Sequence, residues 1–276
     1  MAVPLVMVAA GFEVVAEIEP ATRPDLTRVR HQVGVLAPIA DRFLIPDNHL
    51  GRATVSSVAV AHEVASMGVE AIACLNSRDR NRLGFRRDLL TAAAYGVDRF
   101  LCVYGDQPAS GGRSGDLNVA GMLEEVREFG ASETFAARGP FRVGVTTRLS
   151  ALPTWKREAD FLFVQASFDV EALLRWRDSL RFDGPVFAGV LVVASVGMAK
   201  TLGDATSQID LPAGLLDRLE TDPDAGIDLA CSLMEDIRSS GAFDGVHLVP
   251  VGRYRTVASR LEDSGWRSRG RTRQHP

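Results

Sequence analysis

The sequence predicts an α/β fold of the (β/α)8 type, a closed TIM-type barrel of eight parallel strands. Three observations carry this. Short apolar, β-branched runs recur eight times along the 276 residues, and they are near-continuous rather than alternating, the pattern of parallel strands covered on both faces. Segments with helical spacing of apolar positions separate them. An open doubly wound sheet is the rival, but no run is followed by a glycine-rich phosphate fingerprint: Gly111, Gly112 and Gly115 do not form G-x-G-x-x-G and open no helix directly after a strand.

The strands are expected at 13–18, 42–46, 69–75, 98–104, 141–147, 160–165, 185–191 and 245–250. Helices are expected at 25–37, 53–66, 79–95, 117–130, 169–181, 224–240 and 253–264. Asp79 is a candidate N-cap for the third, which stops before Gly96, and Gly265 suits the left-handed position that ends the last. Residues 1–266 then form one barrel domain, and Arg267 to Pro276 reads as a basic, flexible, solvated tail.

Composition removes several classes of function. Thirty-one Lys and Arg against 35 Asp and Glu give a formal charge of −4, which argues against a general nucleic-acid binder. No run of about 18 apolar residues is present to cross a membrane. Met1 to Ala10 is apolar but lacks a basic flank, a poor signal peptide, so a cytoplasmic protein is expected. Cys74, Cys102 and Cys231 allow one disulfide at most and have no C-x-x-C spacing. The five histidines, His31, His49, His62, His247 and His275, form no H-x-x-H, so no metal site is expected. Only Lys156 and Lys200 are available for Schiff-base chemistry, and no G-x-S-x-G elbow occurs.

In such a barrel the active site lies at the C-terminal ends of the strands. That rule selects Glu17 after strand one, Asp47 and Asn48 after strand two, and Asn76 and Ser77 after strand three. It also selects Tyr104, Gly105 and Asp106 after strand four, Thr146 and Thr147, Gln165, and Arg253 after strand eight. Glu17 is the sharpest candidate. A carboxyl group ending an apolar strand is partly desolvated, which favours its protonated form and suits it to donate a proton. A buried carboxylate paired with an arginine would give the same pattern. Glu19 ranks lower, because Pro20 implies that the strand has ended. Arg78, Arg80 and Arg82 open the third helix against its dipole; a ligand phosphate or carboxylate would offset that, as would surface pairing with Asp79 or Asp88.

In order, these pieces resemble the methylenetetrahydrofolate reductase family. Ala16-Glu17-Ile18-Glu19-Pro20 resembles its first strand, and Pro46-Asp47-Asn48 the polar loop after its second. Ser77-Arg78-Asp79-Arg80-Asn81-Arg82, followed by Asp88-Leu89-Leu90, resembles the acetogen-type branch, and Val103-Tyr104-Gly105-Asp106-Gln107-Pro108 resembles the R-G-D-x-P segment. Gln165, Phe168-Asp169-Val170-Glu171 and Arg175-Trp176-Arg177-Asp178 resemble Q-x-x-F-D-x-E-x-x-x-R-F-R-D. Gly189-Val190-Leu191, Ile209-Asp210-Leu211-Pro212 and the 224–240 helix follow in family order, so the resemblance spans roughly residues 12–265.

The resemblance implies a barrel that reduces 5,10-methylenetetrahydrofolate to 5-methyltetrahydrofolate, with NADH or NADPH as hydride donor. Glu17 would be the general acid that protonates N10 and opens the imidazolidine ring, and Asp106 would hold the pterin and stabilise the iminium cation. Gln165 would bond the pterin edge and Arg253 would face the benzoyl-glutamate end, with Asp47, Asn48 and Asn76 as further substrate contacts. Tyr104, Gly105, Ser77 and Arg78 would border a cofactor. The family relays hydride through FAD, and here the sequence departs. Tyr104 stands where the family has an arginine, Cys74 or its neighbour where it has a histidine, and only residues 148–159 join strands five and six. FAD is therefore expected to be weakly held or absent, with hydride passing directly from nicotinamide to folate. The alternatives are an FAD-dependent reductase, a partner subunit that binds folate or flavin without turnover, and an unrelated barrel lyase. A monomer or small oligomer is expected, with no nucleic-acid or membrane partner.

Overall fold

The computed structural model describes residues 11–107, 111–133, 135, 140–203 and 209–269. Eight strands close into one all-parallel barrel in sequence order. They are β1 (Glu13–Glu17), β2 (Arg42–Ile45), β3 (Glu70–Asn76), β4 (Arg99–Val103), β5 (Arg142–Thr147), β6 (Phe161–Val164), β7 (Val186–Leu191) and β8 (Gly245–Val249). β1 closes the ring by pairing with β2 on one side and β8 on the other; Val15 stands opposite both Arg42 and His247. Each apolar run of the sequence is a strand, and the bounds agree to within two residues.

The helices are α1 (Thr27–Leu36), α2 (Ser57–Ser66), α3 (Arg82–Ala94), α4 (Val119–Gly130), α5 (Val170–Ser179), α6 (Val196–Gly203), α7 (Leu215–Thr221), α8 (Ala225–Ser240) and α9 (Tyr254–Asp263). Asp79 does not cap α3. Both its oxygens are taken by the Arg78 guanidinium at 2.6 Å, and Asn81 caps instead, accepting from the Gly84 N–H at 2.8 Å. Asn118 and Asp169 cap α4 and α5 in the same way. α6 and α7 were not expected; they fill the β7–β8 connection ahead of α8 and pack with it in a small apolar cluster around Val193, Leu215 and Leu219. Gly265, at φ +85°, ends α9 as expected.

Two layers of apolar packing result. The larger lies between strands and helices. The smaller fills the barrel itself, with Val15, Leu44, Ile72 and Leu101 facing the rings of Phe161, Phe163 and Phe187. Gly144 leaves room for this aromatic stack; a Cβ there would lie 2.1 Å from a carbon of the Phe161 ring. Below the stack, ion pairs line the N-terminal rim: Arg42 with Glu13 and Glu70, and Arg142 with Asp160 at 3.2 Å. A hollow of about 320 Å³ lies among these charged groups and reaches Ile72, Phe161 and Phe187; the C-terminal mouth, where barrels of this type carry their chemistry, is the end where a site is sought.

Of the expected tail, Ser268 N–H donates to the Pro38 carbonyl and Arg269 N–H to Asp41. Residues 270–276, like Met1–Ala10, lie outside the described residues. No helix among the described residues is long and apolar enough to cross a membrane.

Candidate active site

Alternation along β1 puts Glu17 on the inward face with Val15, one layer nearer the mouth. Alternation along β8 does the same for His247, between Gly245 and Val249. The two side chains meet across the β1–β8 seam, with His247 Nε2 3.2 Å from Glu17 Oε2. Both are largely enclosed, at 18% and 14% side-chain exposure. Below them the imidazole stacks on the Phe163 ring, centroids 5.0 Å apart and planes at 28°. Nε2 is fully buried and has no aligned hydrogen bond among the described residues.

A cavity of about 280 Å³ opens above this pair, its walls including Glu17, Asp106, Thr146, Gln165, Gly189 and His247. Cys74 also reaches it, but its thiol is pushed well above the ordinary cysteine range by burial first and then by the carboxylates of Glu17 and Asp47, so it stays protonated. All three cysteines are free. Lys156, reaching the mouth from the β5–β6 connection, donates from Nζ to the Thr146 carbonyl at 2.7 Å, and burial lowers its pKa. No cluster of three metal-ligating side chains occurs among the described residues.

The strand-end residues selected from the sequence divide into two groups. Glu17, Asp47, Gly105, Asp106, Thr146 and Gln165 all line the cavity. Asp106 is half exposed and accepts from the Leu50 N–H at 2.7 Å, which ties the β4 loop to the β2 loop. The others build the frame. Asn76, fully buried, donates its N–H and side-chain amide to Asp47 at 2.9 and 2.6 Å and accepts from the Asp79 N–H at 2.9 Å. Arg80 pairs with Asp47 and Asp88; burial penalises its charge, but those two carboxylates outweigh the penalty and raise its pKa. Asn48 and Thr54 exchange hydrogen bonds across the β2 loop, at 3.2 and 3.1 Å.

Ser77 is buried, with its N–H on the Val103 carbonyl, and Arg78 is buried against Asp79. Tyr104 points outward, 54% exposed, under the Arg113 guanidinium. Gly105, at φ +94°, passes so close to Asn76 that a Cβ would lie 2.9 Å from that residue's own Cβ; the glycine serves loop packing. Arg253 sits apart from the mouth cavity. It pairs with Asp224 and donates to the Pro223 carbonyl at 3.0 Å, beside a separate hollow against α1. His247 was missed by sequence reasoning. Its one signal was a polar side chain at an inward position of an otherwise apolar strand.

A closed parallel barrel with a carboxylate–imidazole contact and a cavity at its C-terminal mouth defines a (β/α)8 protein with a candidate site where such barrels carry their chemistry. The family model for methylenetetrahydrofolate reductase matches residues 45–265, and the chain belongs to that family. Membership gives it a folate-related, reductase-like function. No curated protein matches the chain. Among solved structures it is similar to an uncharacterized protein from Clostridium thermocellum that binds two copies of 5-methyl-5,6,7,8-tetrahydrofolic acid, at 11% identity, with 92% of this chain and 96% of that one covered and a TM-score of 0.61. DmoA from Hyphomicrobium sulfonivorans follows at 11% identity, 96% and 89% coverage and TM-score 0.51. The Bacillus cereus spore cortex-lytic enzyme SleL gives 10% identity, 92% and 74% coverage and TM-score 0.51. At such identities these likenesses concern the fold.

Proposed function

We propose that this chain reduces 5,10-methylenetetrahydrofolate to 5-methyltetrahydrofolate, with hydride passing directly from a reduced nicotinamide to the folate. The observation that carries this reading is the Glu17–His247 contact at the mouth of a barrel of this family. Ring opening needs a proton at N10 while the N5 methylene becomes an iminium cation. Glu17, protonated, supplies the proton; the resulting carboxylate faces the cation. His247 Nε2, 3.2 Å away, shares that proton and returns one after turnover. Asp106 and Gln165, on the opposite wall, hold the pterin, and Asp106 adds a second negative charge near the iminium. Hydride then adds to the electrophilic carbon, and positioning of the two substrates supplies the remaining acceleration. Folate bound by the Clostridium thermocellum protein, a barrel with a TM-score of 0.61 to this one, supports the substrate class.

The family's flavin does not fit the residues present. Tyr104 turns outward to Arg113, Arg78 is buried with Nε and Nη2 on Asp79, and Gly105 is packed on Asn76. Between β5 and β6 the chain has only the short 3-10 turn Thr154–Glu158. That connection is near the minimum of about a dozen residues for a parallel crossover. No step is therefore routed through a flavin.

The test is kinetic. Glu17→Gln lowers kcat by about 10²–10⁴-fold with folate affinity nearly unchanged. His247→Gln lowers kcat less and moves the pH profile of kcat rather than KM. A Glu17→Gln enzyme with full turnover removes the acid from the scheme.

A further inference from the structure

The hollow at the base of the barrel takes no part in the reaction proposed above. It measures about 320 Å³, and Arg42, Arg99 and Arg142 line it. Strand alternation explains why they meet there: Arg42 shares the inward face of β2 with Leu44, and Arg99 that of β4 with Leu101. The lining sets three guanidiniums against two carboxylates, Glu13 and Asp160. Two of the three stand side by side, because the β4–β5 register pairs Arg99 with Arg142. Like charges in such positions repel. Their acidic neighbours do not match them one for one. Arg142 donates from Nη1 to Asp160 at 3.2 Å. Among the described residues, Arg99 has one carboxylate within 4 Å, Glu70 at 3.7 Å, and that oxygen already accepts from Arg42 Nε at 2.6 Å. Ion pairs kept only to hold strands together would alternate in sign, and here two cations adjoin. On the inner side Ile72, Phe161 and Phe187 close the hollow with apolar surface.

We propose that this hollow is a second binding site, at the end of the barrel away from Glu17 and His247, and that it takes a small organic monoanion with a flat apolar body. The anionic head, a carboxylate or phosphate group, bridges Arg99 and Arg142. The body lies against Ile72, Phe161 and Phe187. Each guanidinium presents five N–H donors in a planar fork, the shape that receives such a head with two bonds at once. An anion between the two forks replaces their repulsion with charge-assisted hydrogen bonds. Glu13 and Asp160, on the same lining, repel a second negative charge and so select against polyanions. The volume sits at the lower edge of the ~300–1,000 Å³ of small-molecule sites, which suits one ring and its head and excludes a dinucleotide or a whole folate. Phe163 stands between this hollow and His247, with its ring centroid 5.6 Å from that of Phe161, so the two ends of the barrel bind separately.

The test is fluorine NMR on the full chain, with para-fluorobenzoate as the probe and para-fluorobenzyl alcohol as its uncharged counterpart. The benzoate binds saturably, and the alcohol binds about tenfold more weakly. Arg99→Met and Arg142→Met each raise the Kd of the benzoate about tenfold. Excess 5-methyltetrahydrofolate leaves the probe in place, which separates this site from the mouth. Thermal unfolding is the second readout. Because Arg99→Met removes one of two adjoining like charges, it holds or raises the Tm of the chain without probe, and the rise in Tm that the benzoate gives the parent chain is lost. No saturable binding, equal binding of the alcohol, binding that either variant retains in full, or displacement by the folate overturns the site. A lower Tm for Arg99→Met with probe binding unchanged overturns it too, and leaves the arginine a strand-holding role alone. None of these readouts needs turnover, so the site stands or falls apart from the reductase reaction.

Discussion

Glu17 and His247 belong to neighbouring strands that are far apart in sequence, and their pairing is a product of register. Val15 opposite His247 sets the pair, and one pleat further Glu17 leans over the imidazole. The frame beneath the site is equally specific. The Asp79 carboxylate accepts from Arg78 first and from the Asn48 amide as well, which outweighs its partial burial, so its pKa falls from 3.8 to about 2. A carboxylate with a lowered folded pKa adds stability that is complete above its unfolded pKa and is lost as pH falls through the folded value. The urea midpoint should therefore drop between about pH 4 and pH 2, and Asp79→Asn should begin less stable and show a shallower fall over that window. An unchanged acid limb in the variant would mean that the Arg78–Asp79 pair contributes nothing to it.

At the scale of elements, β6 and β7 fill the barrel with phenylalanine, and β5 answers with glycine. Gly144→Ala pushes a methyl group into the Phe161 ring and should cost about 1–3 kcal/mol, a fall of about 2–4 °C in Tm per kcal/mol. A variant with parental Tm would show that the aromatic stack can shift. The eight strands were legible because a strand buried on both faces has to be apolar throughout, as Phe161–Val164 and Val186–Leu191 are. α6 and α7 were not, because they are short and interrupted by Gly197, Gly203 and Gly214. The cavity positions Glu17, Asp106 and Gln165 followed from the strand-end rule. That rule could not separate them from Asn76, Ser77 and Arg78, whose polar groups turn inward to hold the loops together.

The whole molecule brings its chemistry together by closure. The family match begins at Ile45, beyond β1, yet β1 supplies Glu17 by sealing the ring between β2 and β8. At the mouth, Glu17 and His247 stand over the Phe163 ring, and the proposed reaction brings folate and nicotinamide together above them. The most direct test follows the hydride. Chain purified without flavin, and showing no absorbance band near 450 nm, is given methylenetetrahydrofolate and nicotinamide dideuterated at C4. Direct transfer predicts one deuterium in the methyl group of the product, undiluted by solvent protons and with no FAD added. Turnover that appears only on adding FAD, or deuterium lost to water on the way, would contradict it.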